Sequence, residues 1–420
     1  MKKTIKLAVV AALALGTTSA FATNGAALIG MGAEARGMAG VGIGIEHGAE
    51  SALTNPALIT SVKNTEISFG GTIFMPKVQN KNNLVVPAGQ PGAGTVYNTG
   101  YEKSTADLNV IPEVSVASKI TDNFYVGIGM WGTGGMGVDY RDTKSALTGG
   151  TQFQMVTNLQ LMQFGVPLAY KINGFSVAVT PILQYGSLDI NYVSADATGN
   201  PVQNGAGVAQ DLKFGYNLGL AYEISGFTVG AVYKSQIDMD YKDQLTNAMA
   251  GFGVPYDNSK LSTPAEMGVG ISYNMKEHSI AVDYKQIKWS DAKGYEDFKW
   301  DDQNVIAVGY EYATKGWAAR LGYNYATSPI SEQKLGSMGT LSSGADMAGL
   351  INTFNLLGFP GIVESHVAVG GTYALSEQTS VDVAYTYAPE VKDTYKNFYG
   401  QDVSTKHSQQ GVSVQLTYDF

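Results

Sequence analysis

Alternation of apolar and polar residues with a period of two is the feature that most constrains the fold of this chain. It is clearest in the last residues, 412–420, where large apolar side chains alternate with polar ones. The same period recurs over residues 212–223, 317–325 and 381–387. A helix would repeat its apolar positions every 3.6 residues, so the pattern predicts an all-β protein.

The residues between the apolar positions distinguish a soluble β-sandwich from a membrane barrel. In segments 212–223 and 317–325 they are mostly Gly, Ala, Asn and charged residues, while Tyr and Trp lie toward the strand ends. A sandwich buries its apolar face against a second sheet. A membrane barrel turns that face to lipid and collects aromatic residues at both interfaces. The sequence therefore predicts a transmembrane antiparallel β-barrel, and no apolar stretch after residue 22 is long enough for a membrane-spanning helix.

Turn residues give the strand count and the orientation. Short turns alternate with long polar or Gly-rich connections, which is typical of outer-membrane barrels with the short turns in the periplasm. Both termini are then periplasmic. Fourteen strands are predicted near residues 65–75, 106–119, 124–139, 152–171, 175–193, 212–224, 227–241, 264–275, 279–289, 304–313, 317–327, 365–375, 379–389 and 407–420.

The first 62 residues divide into two segments that precede the barrel at 63–420. Residues 1–22 have a basic start, an apolar centre and the A-x-A sequence at 20–22, which predicts a secretory signal peptide. Residues 23–62 are small and apolar without β alternation. A fourteen-stranded barrel is too wide for its own side chains to fill, so we expect residues 23–62 to plug the lumen.

Composition excludes several other classes of protein. The chain has 420 residues and no cysteine, which rules out disulfide scaffolds and thiolate chemistry. Its formal net charge of −9 argues against nucleic-acid binding. The four histidines, His47, His278, His366 and His407, are dispersed, and no nucleophile or metal-ligand motif is present. We therefore predict no catalytic residues, no metal and no cofactor.

The chain resembles the FadL/TodX-type outer-membrane transporters of hydrophobic compounds. Asn55, Pro56 and Ala57 follow the Gly/Ala-rich start and match the NPA motif of that family's N-terminal hatch. The likeness continues along the barrel at residues 233–235 (YKS), 264–267 (PAEM), 289–290 (WS), 320–323 (RLGY), 328–330 (SPI), 359–364 (FPGIVE) and His366.

The resemblance implies a route for a hydrophobic molecule, most often a long-chain fatty acid. The ligand adsorbs to an apolar patch on the extracellular loops and passes to a pocket inside the barrel. Movement of the hatch then releases it sideways through a wall opening made by a kinked third strand. An apolar molecule loses little by moving between apolar surfaces, so passive diffusion along this route is physically reasonable.

Three sets of residues are the candidates for these roles. Glycine permits bulges and kinks in a strand, so the lateral opening is expected in the third predicted strand, at Gly127, Gly129, Gly132, Gly134 and Gly135. The apolar patch, which would serve equally as a lid of packed loops, comprises Leu245, Met249, Phe252, Val254, Phe354, Leu357 and Phe359. Contacts to a ligand's head group are expected from Arg320, Lys285 or Lys234, although wall carboxylates such as Asp283, Glu311 and Asp382 are equally available partners.

Two alternatives stay open at this point. The same route would serve aromatic hydrocarbons, and a passive porin or a structural, adhesive barrel would show the same strand pattern. A porin, however, does not need a 40-residue plug. The expected partners are a hydrophobic small molecule, outer-membrane lipid of a Gram-negative bacterium, and the barrel assembly machinery, which would bind the strand ending at Phe420. A monomer is expected.

Overall fold

A computed structural model describes residues 23–85, 88, 93–98, 100–144, 150–195, 200–341 and 343–420. They form a closed antiparallel β-barrel of fourteen wall strands, which confirms the predicted fold class. The expected signal peptide lies outside the described residues. In the part of the chain that is described, no helix is long and apolar enough to cross a membrane.

Each predicted strand is present, and one of them is interrupted. The wall strands are β1 (Thr65–Val85), β2 (Asn109–Lys119), β3 (Phe124–Asp139), β4 (Val156–Gly165 and Leu168–Ile172), β5 (Phe175–Ala195), β6 (Ala209–Ile224), β7 (Phe227–Lys234), β8 (Glu266–Met275), β9 (His278–Ile287), β10 (Gln303–Ala313), β11 (Trp317–Ala326), β12 (Ser365–Ala374), β13 (Thr379–Lys396) and β14 (Asp402–Asp419).

The barrel closes between its first and last strands. β14 pairs with β1 in one antiparallel register, from Asp419 opposite Glu66 to Val403 opposite Asn82. Along β11 the residues alternate strictly between exposed and buried, beginning with exposed Trp317. The exposed positions are large and apolar around the barrel, with Phe214 the most exposed of them at 82%. Such an outward face suits contact with lipid.

Strand ends differ from the prediction where the chain leaves the apolar belt. β1 reaches Val85 rather than residue 75, β13 reaches Lys396 rather than 389, and β14 begins at Asp402 rather than 407. Their extensions carry polar residues on the outward face, so the alternation of apolar residues ends before the strands do. Conversely, β7 ends at Lys234 rather than at residue 241.

The remaining elements lie inside the barrel or at one of its ends. The described residues form three α-helices, α1 (Ala33–Gly37), α2 (Gln244–Ala250) and α3 (Met347–Leu357). 3-10 helices occupy Gly48–Leu53, Pro56–Ser61 and Trp289–Asp291. Short strands form at Thr23–Asn24, Ala27–Leu28, Val96–Asn98, Glu102–Lys103 and Pro201–Gly205.

Residues 23–62, called here the N-terminal segment, lie within the barrel. Nearly all of them are buried, and their side chains share one hydrophobic cluster with inward-facing residues of β1 to β5. The segment also forms hydrogen bonds to side chains of β2, β9 and β14. Contacts to strands on different sides of the barrel show that the segment crosses its interior.

Long connections cover the end of the barrel opposite the C-terminus and the short turns. We call connections 235–265, 288–302 and 327–364 the lid. The side chains proposed for an apolar patch lie in it: six are no more than 9% exposed and Phe252 is half-buried. Phe252 stacks on Tyr192 with ring centroids 4.9 Å apart, and Phe354 lies 5.3 Å from Phe359. They pack against one another in this structure, and ligand binding by them stays a prediction.

Candidate functional site

Charged and polar contacts fix the N-terminal segment to the wall. Arg36 of α1 lies 2.6 Å from the Glu113 carboxylate of β2 and also donates to the Thr72 hydroxyl of β1. On the opposite wall, Asp283 of β9 accepts three backbone N–H groups, at 2.7, 2.8 and 3.3 Å, from residues 42–44. Charge-assisted bonds of this kind are about twice as strong as neutral ones.

The Asn55-Pro56-Ala57 motif forms a turn against β6. The Asn55 side chain caps the following 3-10 helix by accepting from the Ala57 N–H at 3.1 Å. Its amide nitrogen donates to the Ile43 carbonyl at 2.8 Å and to the Leu220 carbonyl of β6 at 3.1 Å. Pro56 has no N–H to satisfy at this first helical position. Asn55 therefore joins two parts of the N-terminal segment to the wall.

The wall strands supply glycine where the segment approaches closely. A Cβ atom added to Gly230 of β7 would lie 1.8 Å from the Ile43 carbonyl oxygen, and one added to Gly219 of β6 would lie 2.4 Å from Asn55 Oδ1. No larger residue fits at these two positions without displacing the N-terminal segment.

β3 leaves its neighbour β2 halfway along the wall. The two strands pair from Lys119 opposite Tyr125 to Glu113 opposite Trp131, and the pairing ends there. Toward the lid, contact resumes only where the Thr105 N–H donates to the Asp139 carbonyl at 2.9 Å. The wall therefore lacks a β-ladder between residues 106–112 and 132–138.

The N-terminal segment takes the place of the missing β2 partner. Ala27 pairs with Gly134, and the Gly135 N–H donates to the Ala26 carbonyl at 3.0 Å. The ladder between β3 and β4 shifts register between Gly132 and Gly134, which is a β-bulge at Thr133. Bulges bend strands and re-aim side chains, and this one turns β3 toward the segment.

The five glycines proposed for a lateral opening divide into two groups. Gly132, Gly134 and Gly135 lie at the interruption, and their role in a lateral opening stays a prediction. Gly127 and Gly129 instead lie in the regularly paired part, opposite Ala117 and Ser115. Gly129 leaves room for the buried Trp131 ring, which a Cβ atom would approach to 2.6 Å. The amino-acid composition of the strand alone does not distinguish these two groups of glycines.

Two narrow cavities lie between the N-terminal segment and the wall, each with room in this structure for a few water molecules, so a larger ligand would enter only as the segment moves. Both are lined by Leu28, Met31, Lys234 and Glu266. The larger cavity extends to Thr133 and Gly134 at the interruption of β3, past apolar side chains of β4 and the lid, which are Leu159, Leu161, Leu261, Trp289 and Tyr295. The smaller one reaches Lys285.

Lys234 and Lys285 share one carboxylate where the cavities meet. The Glu266 carboxylate lies 3.3 Å from Lys234 Nζ and 3.7 Å from Lys285 Nζ, and all three side chains are less than a fifth exposed. The nearby Asp283 carboxylate is occupied by backbone N–H groups of the N-terminal segment. Glu266 is therefore the one carboxylate that both ammonium groups contact directly, and each of them has donors left for a second acceptor.

Arg320, the third proposed head-group residue, lies outside both cavities. Its guanidinium forms ion pairs with Glu311 at 2.7 Å, Asp382 at 3.4 Å and Glu34 of α1 at 3.1 Å. The first two are the wall carboxylates that the sequence offered as alternative partners. Arg320 thus attaches α1 to the wall at the short-turn end. Its contacts there line an open vestibule of about 1,670 Å³.

His47 lies beside the Arg320 cluster and is held as an imidazolium. Its Nδ1 is 3.4 Å from the Glu34 carboxylate and its Nε2 is 2.9 Å from the Val41 carbonyl, so both nitrogens face acceptors. Burial opposes the charge, but the Glu34 carboxylate outweighs it and raises the pKa of His47 to about 9. Burial likewise opposes ionisation of Glu34, but Arg320 and His47 lower its pKa to about 2.

A second cluster brings together two histidines that are far apart in the sequence. Gln409 of β14 contacts His366 at 3.1 Å and His407 at 3.2 Å, and it accepts from the Thr23 backbone N–H at 3.0 Å. No spacing in the sequence links β12, β14 and Thr23, so the sequence does not predict this cluster. The inward alternation of His407 and Gln409 is the one signal that places two of them on a shared face.

Comparison with known proteins agrees with this architecture. A model of the family described as outer membrane protein transport protein (OMPP1/FadL/TodX) matches residues 8–336. One relative, an uncharacterized protein in the 5′ region of the phosphoenolpyruvate carboxykinase gene of Chlorobium limicola, is 36% identical over 85 residues. That match covers 20% of this chain and 42% of the relative, so the chain spans less than half of the relative's length.

Solved structures share the fold at low sequence identity. A FadL homologue of Pseudomonas aeruginosa has a TM-score of 0.72 at 16% identity, with 94% of this chain and 100% of that chain covered. The Pseudomonas putida toluene transporter TodX has a TM-score of 0.65 at 15% identity, covering 95% and 100%. The Ralstonia pickettii toluene transporter TbuX has a TM-score of 0.63 at 15% identity, covering 93% and 99%. With the family model matched over most of its length, the chain belongs to the OMPP1/FadL/TodX family of outer-membrane transport proteins.

Proposed function

We propose that this protein takes up long-chain fatty acids by passive diffusion, with ligand-gated movement of the N-terminal segment and lateral release through the wall. The observation that carries the proposal is the larger cavity, whose lining runs from Lys234 to Thr133 and Gly134 at the interruption of β3. A molecule in this cavity would touch the head-group site, the N-terminal segment and the wall opening together.

The charge balance of the cavity favours a carboxylate ligand. A buried ammonium without a partner is costly, and Glu266 serves both Lys234 and Lys285. A fatty-acid carboxylate would accept hydrogen bonds from the N–H groups of the two lysines that Glu266 does not bind. Its acyl chain would then lie along the apolar lining formed by Met31, Leu159 and Leu161.

Aromatic hydrocarbons are the second candidate, and a specific cluster favours them. Trp289 and Tyr295 line the larger cavity, and their ring centroids are 4.7 Å apart. Trp300 completes the cluster at 5.1 Å from Trp289. Edge-to-face packing of this kind would accept a further ring. Such a ligand would form no hydrogen bonds with the two lysines, so fatty acid is the preferred substrate.

The proposed route fixes the remaining assignments. The N-terminal segment acts as a hatch, and residues 63–420 form the barrel. The lid faces the outside of the cell and the C-terminus faces the periplasm, as the short turns indicate. The N-terminus left by cleavage, Thr23, lies inside the barrel, where its N–H donates to Gln409. Because the N-terminal segment fills the lumen, the function of a passive porin is disfavoured. Removal of residues 1–22 as a signal peptide, insertion by the barrel assembly machinery and a monomeric state are part of the same proposal.

The test compares two substrates in one double variant, Lys234→Gln with Lys285→Gln. Uptake of a long-chain fatty acid and of toluene is measured in cells that lack other uptake routes. Loss of charged hydrogen bonds to a carboxylate costs about 1.5–3 kcal/mol, so fatty-acid uptake should fall about tenfold or more. Toluene uptake should stay within about twofold, because toluene has no carboxylate.

Lys213→Gln is the matched control, since this β6 lysine pairs with Asp211 and lines neither cavity. It should leave both substrates unaffected. Equal loss of both substrates in the double variant would contradict carboxylate recognition, and unchanged uptake of both would remove the cavity from the route.

A further inference from the structure

A group of lysines lies on the outer surface of the barrel where β13, β14, β1 and the short strand Glu102–Lys103 are neighbours. Gln79 of β1 is its centre. Gln79 pairs with Lys406 of β14 on one side and with Lys103 on the other. Lys406 pairs in turn with Lys392 of β13. These four residues form one row across four neighbouring strands.

Two further lysines of β1 flank this row. Lys77 and Lys81 are two residues before and after Gln79, so the alternation of the strand places them on the same outward face. Each is a diagonal neighbour of Lys406, and such neighbours lie about 7–8 Å apart in an antiparallel pair. We call the five lysines, Lys77, Lys81, Lys103, Lys392 and Lys406, the basic patch.

The basic patch is not neutralised by the protein. Lys103 pairs with Asp107 at 2.6 Å, and Lys406 pairs with Glu390 at 3.2 Å. The other three lysines have no carboxylate within 4.0 Å among the described residues. The patch keeps a net positive charge on a chain whose formal net charge is −9.

Two lysines of the basic patch also lie directly opposite each other. Lys392 faces Lys406 across the ladder of β13 and β14, and like charges in that position destabilise a sheet. Lys406 is partly shielded, with its ammonium 4.9 Å from the Tyr101 ring centroid, but Lys392 is exposed. An external anion would relieve this repulsion.

The position of the patch along the strands indicates where that anion comes from. Ile73 and Tyr387, which are 48% and 42% exposed, belong to the apolar belt. The next outward rows are Met75 opposite Gln410 and then Lys77 opposite Ser408. From Met75 to Lys81 is about 20 Å along the strand, or about 15 Å along the membrane normal at the usual tilt. The lysines therefore begin where the apolar belt ends.

We propose that the basic patch binds the phosphate groups of the phosphorylated saccharolipid of the outer leaflet, lipopolysaccharide, while its acyl chains lie on the apolar belt below. The assignment rests on the orientation proposed above, in which the lid end faces outward. Lysines near an anionic membrane surface attract its lipid charges. A bisphosphorylated lipid A headgroup would match the unpaired charges of the patch.

The test measures binding of bisphosphorylated lipid A to the full barrel in phosphatidylcholine nanodiscs by native mass spectrometry. The variant Lys77→Gln, Lys81→Gln and Lys392→Gln removes the unpaired charges and leaves the two ion pairs intact. Each such lysine contributes about fivefold near a charged surface, so binding should fall at least tenfold. Lipid A without phosphates should bind the wild-type protein and the variant equally weakly.

The matched control removes three exposed lysines from connections at the same end, by Lys242→Gln, Lys299→Gln and Lys334→Gln, and should bind lipid A like the wild type. Lys77→Arg, Lys81→Arg and Lys392→Arg should retain binding, which separates charge from folding. Wild-type binding by the glutamine variant, or equal losses in the glutamine variant and the control, would overturn the proposal. If the barrel had the opposite orientation in the membrane, the patch would lie at the periplasmic leaflet, which contains phospholipid. Binding of phosphatidylglycerol in preference to lipid A would reveal that orientation.

Discussion

β9, β10 and β11 form a regular wall, whereas the wall between β2 and β4 is interrupted, and the N-terminal segment contacts the two regions differently. β9 pairs with β10 along its whole length, from His278 to Ile287. There the segment packs closely on glycine, since a Cβ at Gly322 of β11 would lie 2.2 Å from the Met38 carbonyl carbon. At β3 the segment instead forms backbone hydrogen bonds.

The difference shows which part of the wall depends on the segment. A regular ladder satisfies its own backbone groups, so departure of the segment from β11 would cost packing and the side-chain contacts of Arg320 and Asn324 but would leave the ladder intact. At β3 the Gly135 N–H is bonded to the Ala26 carbonyl, and unsatisfied buried backbone groups are costly. Movement of the segment and rearrangement of β3 are therefore coupled, and the two regions should respond differently to substitution.

The largest effect is expected from closing the interruption with Gly132→Val, Gly134→Val and Gly135→Val. Branched side chains would fill the space between β2 and β3, and one at Gly134 would begin 2.5 Å from the Ala26 carbonyl oxygen. Uptake of hydrophobic substrates should fall by tenfold or more in cells with normal amounts of the barrel in the outer membrane.

The control for this variant is Gly371→Val in the regular wall. It crowds the Ala318 carbonyl oxygen of β11, at 2.8 Å from the added Cβ, without touching the N-terminal segment. We expect uptake per inserted barrel within about twofold of the wild type, because the strain falls on the ladder of β11 and β12 rather than on the segment. Undiminished uptake by the inserted triple variant would contradict lateral release and favour passage along the lumen.

The regular wall was predictable from sequence because its signal is local. Residues 317–325 alternate between large apolar and small or polar residues, and β11 occupies Trp317–Ala326. The break in β3 was predictable only in part. Clustered glycines marked the strand, but the bulge at Thr133 arises from the pairing of Gly134 with Ala27, which is 107 residues earlier.

An intermediate effect is expected when the segment is loosened with Asn55→Ala. The change removes the cap of the Pro56–Ser61 helix and leaves the Ile43 and Leu220 carbonyls without their donor. Each lost buried hydrogen bond costs about 1–3 kcal/mol. The free energy of local opening, measured by hydrogen exchange in peptides from residues 38–62, should fall by about 2–4 kcal/mol.

Asn64→Ala is the control for that variant, because Asn64 is exposed and its side chain donates to the Phe420 carbonyl at 3.3 Å, away from residues 38–62. Exchange in residues 38–62 should match the wild type. Peptides from β10 should be equally protected in all three proteins, since the regular wall satisfies its own backbone. Loss of protection in β10 after Asn55→Ala would contradict the separation of segment and wall.

The candidate site was less predictable than the fold because its contacts join distant parts of the chain. Asn55 was found through its motif, and Lys234 and Lys285 through the inward face of their strands. Arg36 with Glu113, separated by 77 residues, carries no local signal. The three backbone N–H groups that donate to Asp283 carry no local signal either, because a pattern of side chains in the sequence does not show where backbone donors lie.

The smallest effect is expected from pH, acting through His47 in the N-terminal segment. The groups around its ring are the Glu34 carboxylate, the Glu50 carboxylate and the Val41 carbonyl. Because its folded pKa is raised to about 9 from 6.5, the proton stabilises the closed segment fully below pH 6.5. That stabilisation is lost as the pH rises through 9. Glu34, with a pKa lowered to about 2, titrates far below this range.

Hydrogen exchange in residues 38–55 at pH 7 and pH 9.5, corrected for the intrinsic rate, measures this contribution. The free energy of opening should fall by about 1–2 kcal/mol between pH 7 and pH 9.5. A pKa difference between the closed and the open segment contributes about 1.4 kcal/mol per unit. The effect should be smaller than the full pKa difference allows, because an open segment stays within the lumen. His47→Gln should remove most of the difference between the two pH values, and the rest comes from the neighbouring Glu50, whose pKa is raised by burial. His278→Gln, at the exposed start of β9, should retain the full difference. An undiminished pH response in His47→Gln would assign the effect to other groups. The regular wall at β10 has no such contact and should show no change between the two pH values, so the response would distinguish the segment from the barrel that holds it.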